Sequence, residues 1–192
     1  TGRIDQAIEL LEKTIQKEKL TNAQKGLLYN NLGSNYFLNT RATKMKSYAF
    51  ENAEKAFLKA VLLLESEPSQ HEALTNSYRN LCKLNLERKN KQMALHYFEK
   101  AKHTFEKIPN PNPRKKAQFY FDEANMLFKQ REITASSLAI ERVFKTLIPA
   151  YSSAKTVLPN QSALYAETIL LDVLDLQAEL FLAQSQPKKA LE

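Results

Sequence analysis

Two stretches of the chain carry one pattern 41 residues apart: Ala53-x3-Phe57-x2-Ala60 and Ala94-x3-Phe98-x2-Ala101. Spacings of three and four put the members of each block on one helix face, two small residues flanking an aromatic ring. A degenerate copy, Ser136-x3-Ile140-x2-Val143, follows 42 residues later; Ala7-x3-Leu11 opens the series and Ala190 would restart it. A second block lies upstream. Cys82, Ala124 and Ala178 each precede a member of the first block by 12 residues. The best-formed copy, Tyr29-x2-Leu32-Gly33-x2-Tyr36, precedes Ala53 by 20, which implies about eight inserted residues near Thr40 to Tyr48. The pair of blocks reads as a helical hairpin. The small residue on the first helix admits the second, and each hairpin leaves an apolar face for the next to bury.

Composition narrows the rest. Only 3 glycines in 192 residues leave no phosphate-cradling loop and few tight turns. The prolines fall between the periodic runs. Thr21 with Gln24 and Ser69 with Glu72 fit capping boxes, Asn112–Pro113 fits an N-cap followed by a first-turn proline, and Asn90 and Thr134 fit N-caps. The spacing predicts eight helices near 3–17, 22–40, 47–65, 70–88, 91–107, 114–130, 135–147 and 161–184, with 148–160 either loop or helix extension. Phe57 and Leu62 are both placed on the apolar stripe of the third. The longest apolar run, Ala60 to Leu64, is too short to span a bilayer, so no membrane association is expected. The N-terminus carries no leader pattern, and a cytoplasmic location is expected.

The blocks resemble the tetratricopeptide repeat (TPR), best in Asn31–Leu32–Gly33–Ser34–Asn35–Tyr36 and in Ala94–Leu95–His96–Tyr97–Phe98–Glu99–Lys100–Ala101. The spacing exceeds the usual 34 residues, as in the long-helix variety. The resemblance covers the whole chain and implies an all-α, right-handed superhelical solenoid of antiparallel helix hairpins. Residues 1–192 then form one TPR-like domain, cut mid-repeat at both ends from a longer protein. The block Ala163 to Glu179 resembles, more narrowly, the TPR region of bacterial proteins that end in a CHAT domain, a caspase-like cysteine protease fold. That resemblance implies a regulatory arm of a protease-like protein.

Chemistry-bearing residues are sparse. Cys82, the only cysteine, takes a small packing position. His96 and His103 are seven apart, roughly 10.5 Å along a helix, too far for one zinc ion. His71 is the third histidine. Asp172, Asp175 and Glu179 share a helix face and read as a solvated or partner-facing acidic stripe. No catalytic, cofactor-binding or metal-binding residue is assigned, and no enzymatic activity is expected of this chain.

Surface recognition is what is left. The formal net charge is +7, and residues 79–116 carry 11 Lys+Arg against 3 Asp+Glu. In TPR folds the first helices line a concave groove. The resemblance places Asn30, Ser34 and Phe37 there, then Arg79, Lys83 and Leu86, then Phe121, Asn125 and Phe128, and last Asp175, Glu179 and Leu182. Asparagine and basic residues suit the backbone and carboxylates of an extended peptide, and phenylalanine offers an apolar pocket. The expectation is a protein-interaction scaffold that binds a peptide or a partner domain, including another domain of the same parent chain. Nucleic-acid binding through 79–116 is the lesser alternative, because Tyr78, Tyr97 and Phe98 occupy packing places in the repeat.

Overall fold

A computed structural model describes residues 2–17, 19–42, 46–148, 169–186 and 189. Eight α-helices account for most of them: α1 (Gly2–Ile15), α2 (Asn22–Ala42), α3 (Lys46–Leu64), α4 (His71–Glu87), α5 (Lys91–Phe105), α6 (Pro113–Lys129), α7 (Ile133–Leu147) and α8 (Ile169–Ala183). No strand occurs among the described residues. The region 149–168, which includes most of the uncertain 148–160 stretch and the expected start of the last helix, lies outside them.

Local chemistry sets several helix starts. Thr21 and Gln24 form the expected reciprocal box: Thr21 N–H donates to Gln24 Oε1 at 2.9 Å, and Gln24 N–H to Thr21 Oγ1 at 3.2 Å. Asn90 caps α5 by accepting from Met93 N–H, and Asn112 caps α6 by accepting from Arg114 N–H, with Pro113 in the first turn. Two expected starts are displaced. Pro68–Gln70 form a 3-10 turn, so α4 begins at His71 with Gln70 at the N-cap and no side-chain cap, and Ser69 sits in the turn. Thr134 is inside α7, whose N-cap is Glu132. The reason is the abrupt end of α6. Arg131 takes the left-handed conformation (φ 68°) and Glu132 N–H reaches back to the Leu127 carbonyl at 2.9 Å, so the chain reverses at once. The same device ends α4, with Lys89 at φ 59° and Asn90 N–H on Asn85 C=O, and α8, with Ser185 at φ 58° and Gln186 N–H on Phe181 C=O.

The chain divides into two compact units, Thr1–Pro109 and Asn110–Glu192. In the first, α2 and α3 form an antiparallel hairpin. A Cβ built on Gly26 would stand 2.6 Å from Leu64 Cγ, and one on Gly33 would stand 2.6 Å from Phe57 Cδ1 and Cε1. The two backbones approach this closely because glycine leaves room for the ring. The inserted residues expected between the blocks lengthen both helices. α2 has 21 residues against 17 in α4, and α3 has 19 against 15 in α5. Ala53, Phe57 and Ala60 are wholly buried, as are Ala94, Phe98 and Ala101. Leu62 departs from expectation. It is 63% exposed while Phe57 is 0% exposed, because five residues rotate it about 140° around the helix from Phe57. α1 covers the other side of α2 through Ile8 and Ile15 against Leu32, and Tyr36 donates to Glu12 at 2.5 Å.

In the second unit α6 and α7 form the corresponding hairpin. Ser136, Ile140 and Val143 are buried, and Ser136 Oγ donates to the Ala124 carbonyl at 2.8 Å. The serine hydroxyl thus fills the repeat's alanine place by satisfying itself on the facing backbone. Leu170, Val173, Leu176 and Leu180 of α8 complete this core with Ala139 and Phe144.

Candidate functional site

The first helices of the two hairpins in unit 1 lie side by side, joined by small polar side chains. Asn80 Nδ2 donates to Asn30 Oδ1 at 3.1 Å, and Ser77 Oγ, whose single proton is shared with the Ala73 carbonyl at 3.1 Å, stands 3.2 Å from the same oxygen. Asn80 Nδ2 also stands 3.5 Å from Ser34 Oγ, and Ser34 Oγ donates to the Asn30 carbonyl at 3.0 Å. Asn30 Oδ1 is therefore taken up as an acceptor, and its amide N–H groups are what it offers a ligand. Arg79 Nη1 donates to Asn76 Oδ1 at 2.9 Å, which steadies the guanidinium on the same turn. Lys83 follows four residues later on the same stripe, and Leu27 and Leu38 of α2 are exposed large apolar side chains. Glu72 and Glu87 share the α4 stripe toward its ends, so the positive charge is concentrated at its middle.

The remaining expected groove residues fall elsewhere. Phe37 packs against Phe50 of α3 with the rings tilted by 52° and their centroids 6.0 Å apart, and Arg88 lies over the Phe50 ring while pairing with Glu54 at 2.5 Å. Phe37 thus serves the hairpin interior more than an open groove. Leu86 is half-buried on α4. In unit 2, Phe121 and Phe128 pack against the core, and Asn125 Nδ2 donates to the Phe121 carbonyl of its own helix at 3.1 Å. Asp175, Glu179 and Leu182 are exposed on α8. The structure brings Asn30, Ser34, Arg79 and Lys83 onto the paired helices α2 and α4.

Sequence reasoning did not find Ser77 and Asn80, which hold α2 against α4. Their signal was a pair of small polar residues at i, i+3 facing another such pair, Asn30 and Ser34, at i, i+4. It also did not find that His71, His96 and His103 all line one cavity of about 630 Å³ at the open end of the α4–α5 hairpin, with Glu65 and Tyr78. Tyr78 donates to the Glu65 carboxylate and Lys100 sits over the Tyr78 ring at 5.4 Å. Burial, and then that carboxylate, push the Tyr78 phenol well above the usual tyrosine range. Among the described residues no group of three or more His, Cys, Asp or Glu is arranged to hold a metal ion. None of the helices among the described residues is long and apolar enough to cross a membrane.

Helical hairpins repeated in register define the class to which this chain belongs by architecture: an all-α protein of paired helices. Comparison with protein-family models, with curated proteins and with solved structures found no match.

Proposed function

We propose that the chain is a protein-interaction module of TPR-like helical hairpins, which captures an extended peptide bearing acidic side chains or a terminal carboxylate across α2 and α4. The observation that carries the reading is the paired first helices. The Asn30–Ser77–Asn80 bonds hold them together, and Arg79 and Lys83 stand on the adjoining stripe of α4. Asparagine amides suit the donors and acceptors of a peptide backbone, the two cations suit carboxylates, and Leu27 and Leu38 supply apolar contact at the edge. The reading assigns the chain no chemistry of its own.

Selection from a displayed random-peptide library on the immobilised chain tests it. The expected outcome is a set of peptides enriched in Asp, Glu or a free carboxyl end that Arg79→Glu/Lys83→Glu no longer retains. Arg79 and Lys83 are half-buried, so circular dichroism of the variant establishes that it is folded before its binding is compared. Selected peptides without acidic bias, or equally retained by the variant, overturn the proposal.

A further inference from the structure

We propose that the second unit carries a separate anion site, built to hold the phosphoryl group of a small ligand. A cavity of about 430 Å³ opens between the start of α6 and the end of α7. Lys116, Arg142 and Lys145 line it with Tyr120, Thr146 and Pro113, and no carboxylate is among the lining residues. Tyr120 organises the cations: Arg142 lies over its ring at 4.7 Å and Lys116 at 5.9 Å.

The nearby charges decide the valence of the ligand. Arg142 Nη2 pairs with Glu123 Oε2 at 2.5 Å, which fixes the guanidinium by one edge and leaves other N–H groups for a ligand. Lys145 pairs with Glu141 at 2.6 Å on the surface. Thr146 donates its hydroxyl proton to the Arg142 carbonyl at 2.7 Å, so it contributes no donor. Counting Glu123 and Glu141 against the three cations leaves a net positive site. A carboxylate brings one negative charge and two oxygens. A phosphoryl group brings about −1.5 to −2 and three acceptor oxygens, which match a guanidinium edge and two ammonium groups. The cavity is the size of small-molecule sites. The site shares no residue with the α2–α4 face, so its fate is independent of the peptide reading.

Calorimetric titration of the whole chain with inorganic pyrophosphate at low salt is the test. The expected result is saturable one-site binding that acetate at equal ionic strength does not displace. Lys116→Gln/Lys145→Gln should weaken it at least about tenfold, while Arg79→Gln/Lys83→Gln, which removes the same charge but changes no lining residue, weakens it less. Circular dichroism establishes that each variant is folded. If the double variant is not folded, Lys145→Gln alone, whose ion pair is on the surface, should weaken binding about threefold. Absence of saturation, unchanged binding in the lysine variants, or an equal loss in the Arg79/Lys83 variant overturns the site.

Discussion

Adding one methyl group at Gly33 probes the closest helix–helix contact in the first unit. The new Cβ would stand 2.6 Å from Phe57 Cδ1 and Cε1 and 3.0 Å from Cγ. Favourable carbon–carbon separations are about 3.5–4.0 Å, so the overlap with two ring atoms is about 1 Å. Phe57 is wholly buried and cannot swing into solvent. Overpacking of this kind costs about 1–3 kcal/mol. Against it stands the helix propensity of alanine, about 1 kcal/mol better than glycine in a helix interior. The net expectation for Gly33→Ala is a loss of up to about 2 kcal/mol, or a fall of up to about 8 °C in Tm for a chain of this size. Gly2→Ala, at the first residue of α1, meets nothing within 4 Å and serves as a reference without steric contact. Urea unfolding followed by circular dichroism reads both. A cycle with Phe57→Leu completes the argument: the smaller side chain should relieve the Gly33→Ala penalty, with a coupling of at least about 1 kcal/mol. If Gly33→Ala raises the midpoint in the wild-type background, the hairpin packing described here is wrong.

Other sites give equally direct expectations. Thr75 Oγ1 is buried in α4 with no hydrogen-bond partner among the described residues, and an unsatisfied buried hydroxyl costs about 1–3 kcal/mol. Thr75→Val keeps the shape and removes the polar atom, so the urea midpoint should hold or rise; a fall of more than about 1 kcal/mol would show that the hydroxyl is satisfied. The Tyr78 phenol, held above its ordinary range, keeps its proton in the folded chain after an unfolded tyrosine, near 10, has lost it. Its contribution is therefore full below about pH 10 and declines as pH rises further. Wild type should be more stable than Tyr78→Phe at about pH 8, by an amount that shrinks toward about pH 11. Tyr36 is shifted in the same direction and is present in both proteins; Tyr97 is raised too and stacks on Tyr78 at 6.4 Å, so the difference reports the Tyr78–Tyr97 pair. A gap that stays constant with pH would refute the assignment.

The comparison of sequence with structure divides along the range of the forces involved. The caps at Thr21, Asn90 and Asn112 were legible because each rests on a bond spanning two or three residues. Ser69 and Thr134 carried the same local signal and lost to their neighbours. Pro68 opens a 3-10 turn ahead of α4, and the left-handed Arg131 starts α7 early. The burial of Ala94, Phe98 and Ala101 followed from period and residue size, whereas Leu62 shows that an apolar residue inside a helix need not share the buried face. The site was only half legible. Asn30, Ser34, Arg79 and Lys83 could be placed on first helices by register. The partners of Asn30 lie 47 and 50 residues away, and which side chains meet depends on the rotation of α4 against α2. Phe121 and Phe128 had the right spacing for a groove; each ring is partly buried and packs one side against the second unit's core. The gathering of three histidines at one cavity depends on how α4 meets α5, which no spacing within a single helix encodes.

The peptide-capture reading meets its most direct test in a charge exchange. A selected acidic peptide and a copy with its carboxylates changed to lysines are titrated, by fluorescence anisotropy, against wild type and against Arg79→Glu/Lys83→Glu. The reading predicts that wild type binds only the acidic peptide, that the variant loses it by at least about tenfold, and that the variant binds the lysine copy in its place. Binding of the acidic peptide by both proteins alike, or no recovery with the exchanged pair, would contradict it.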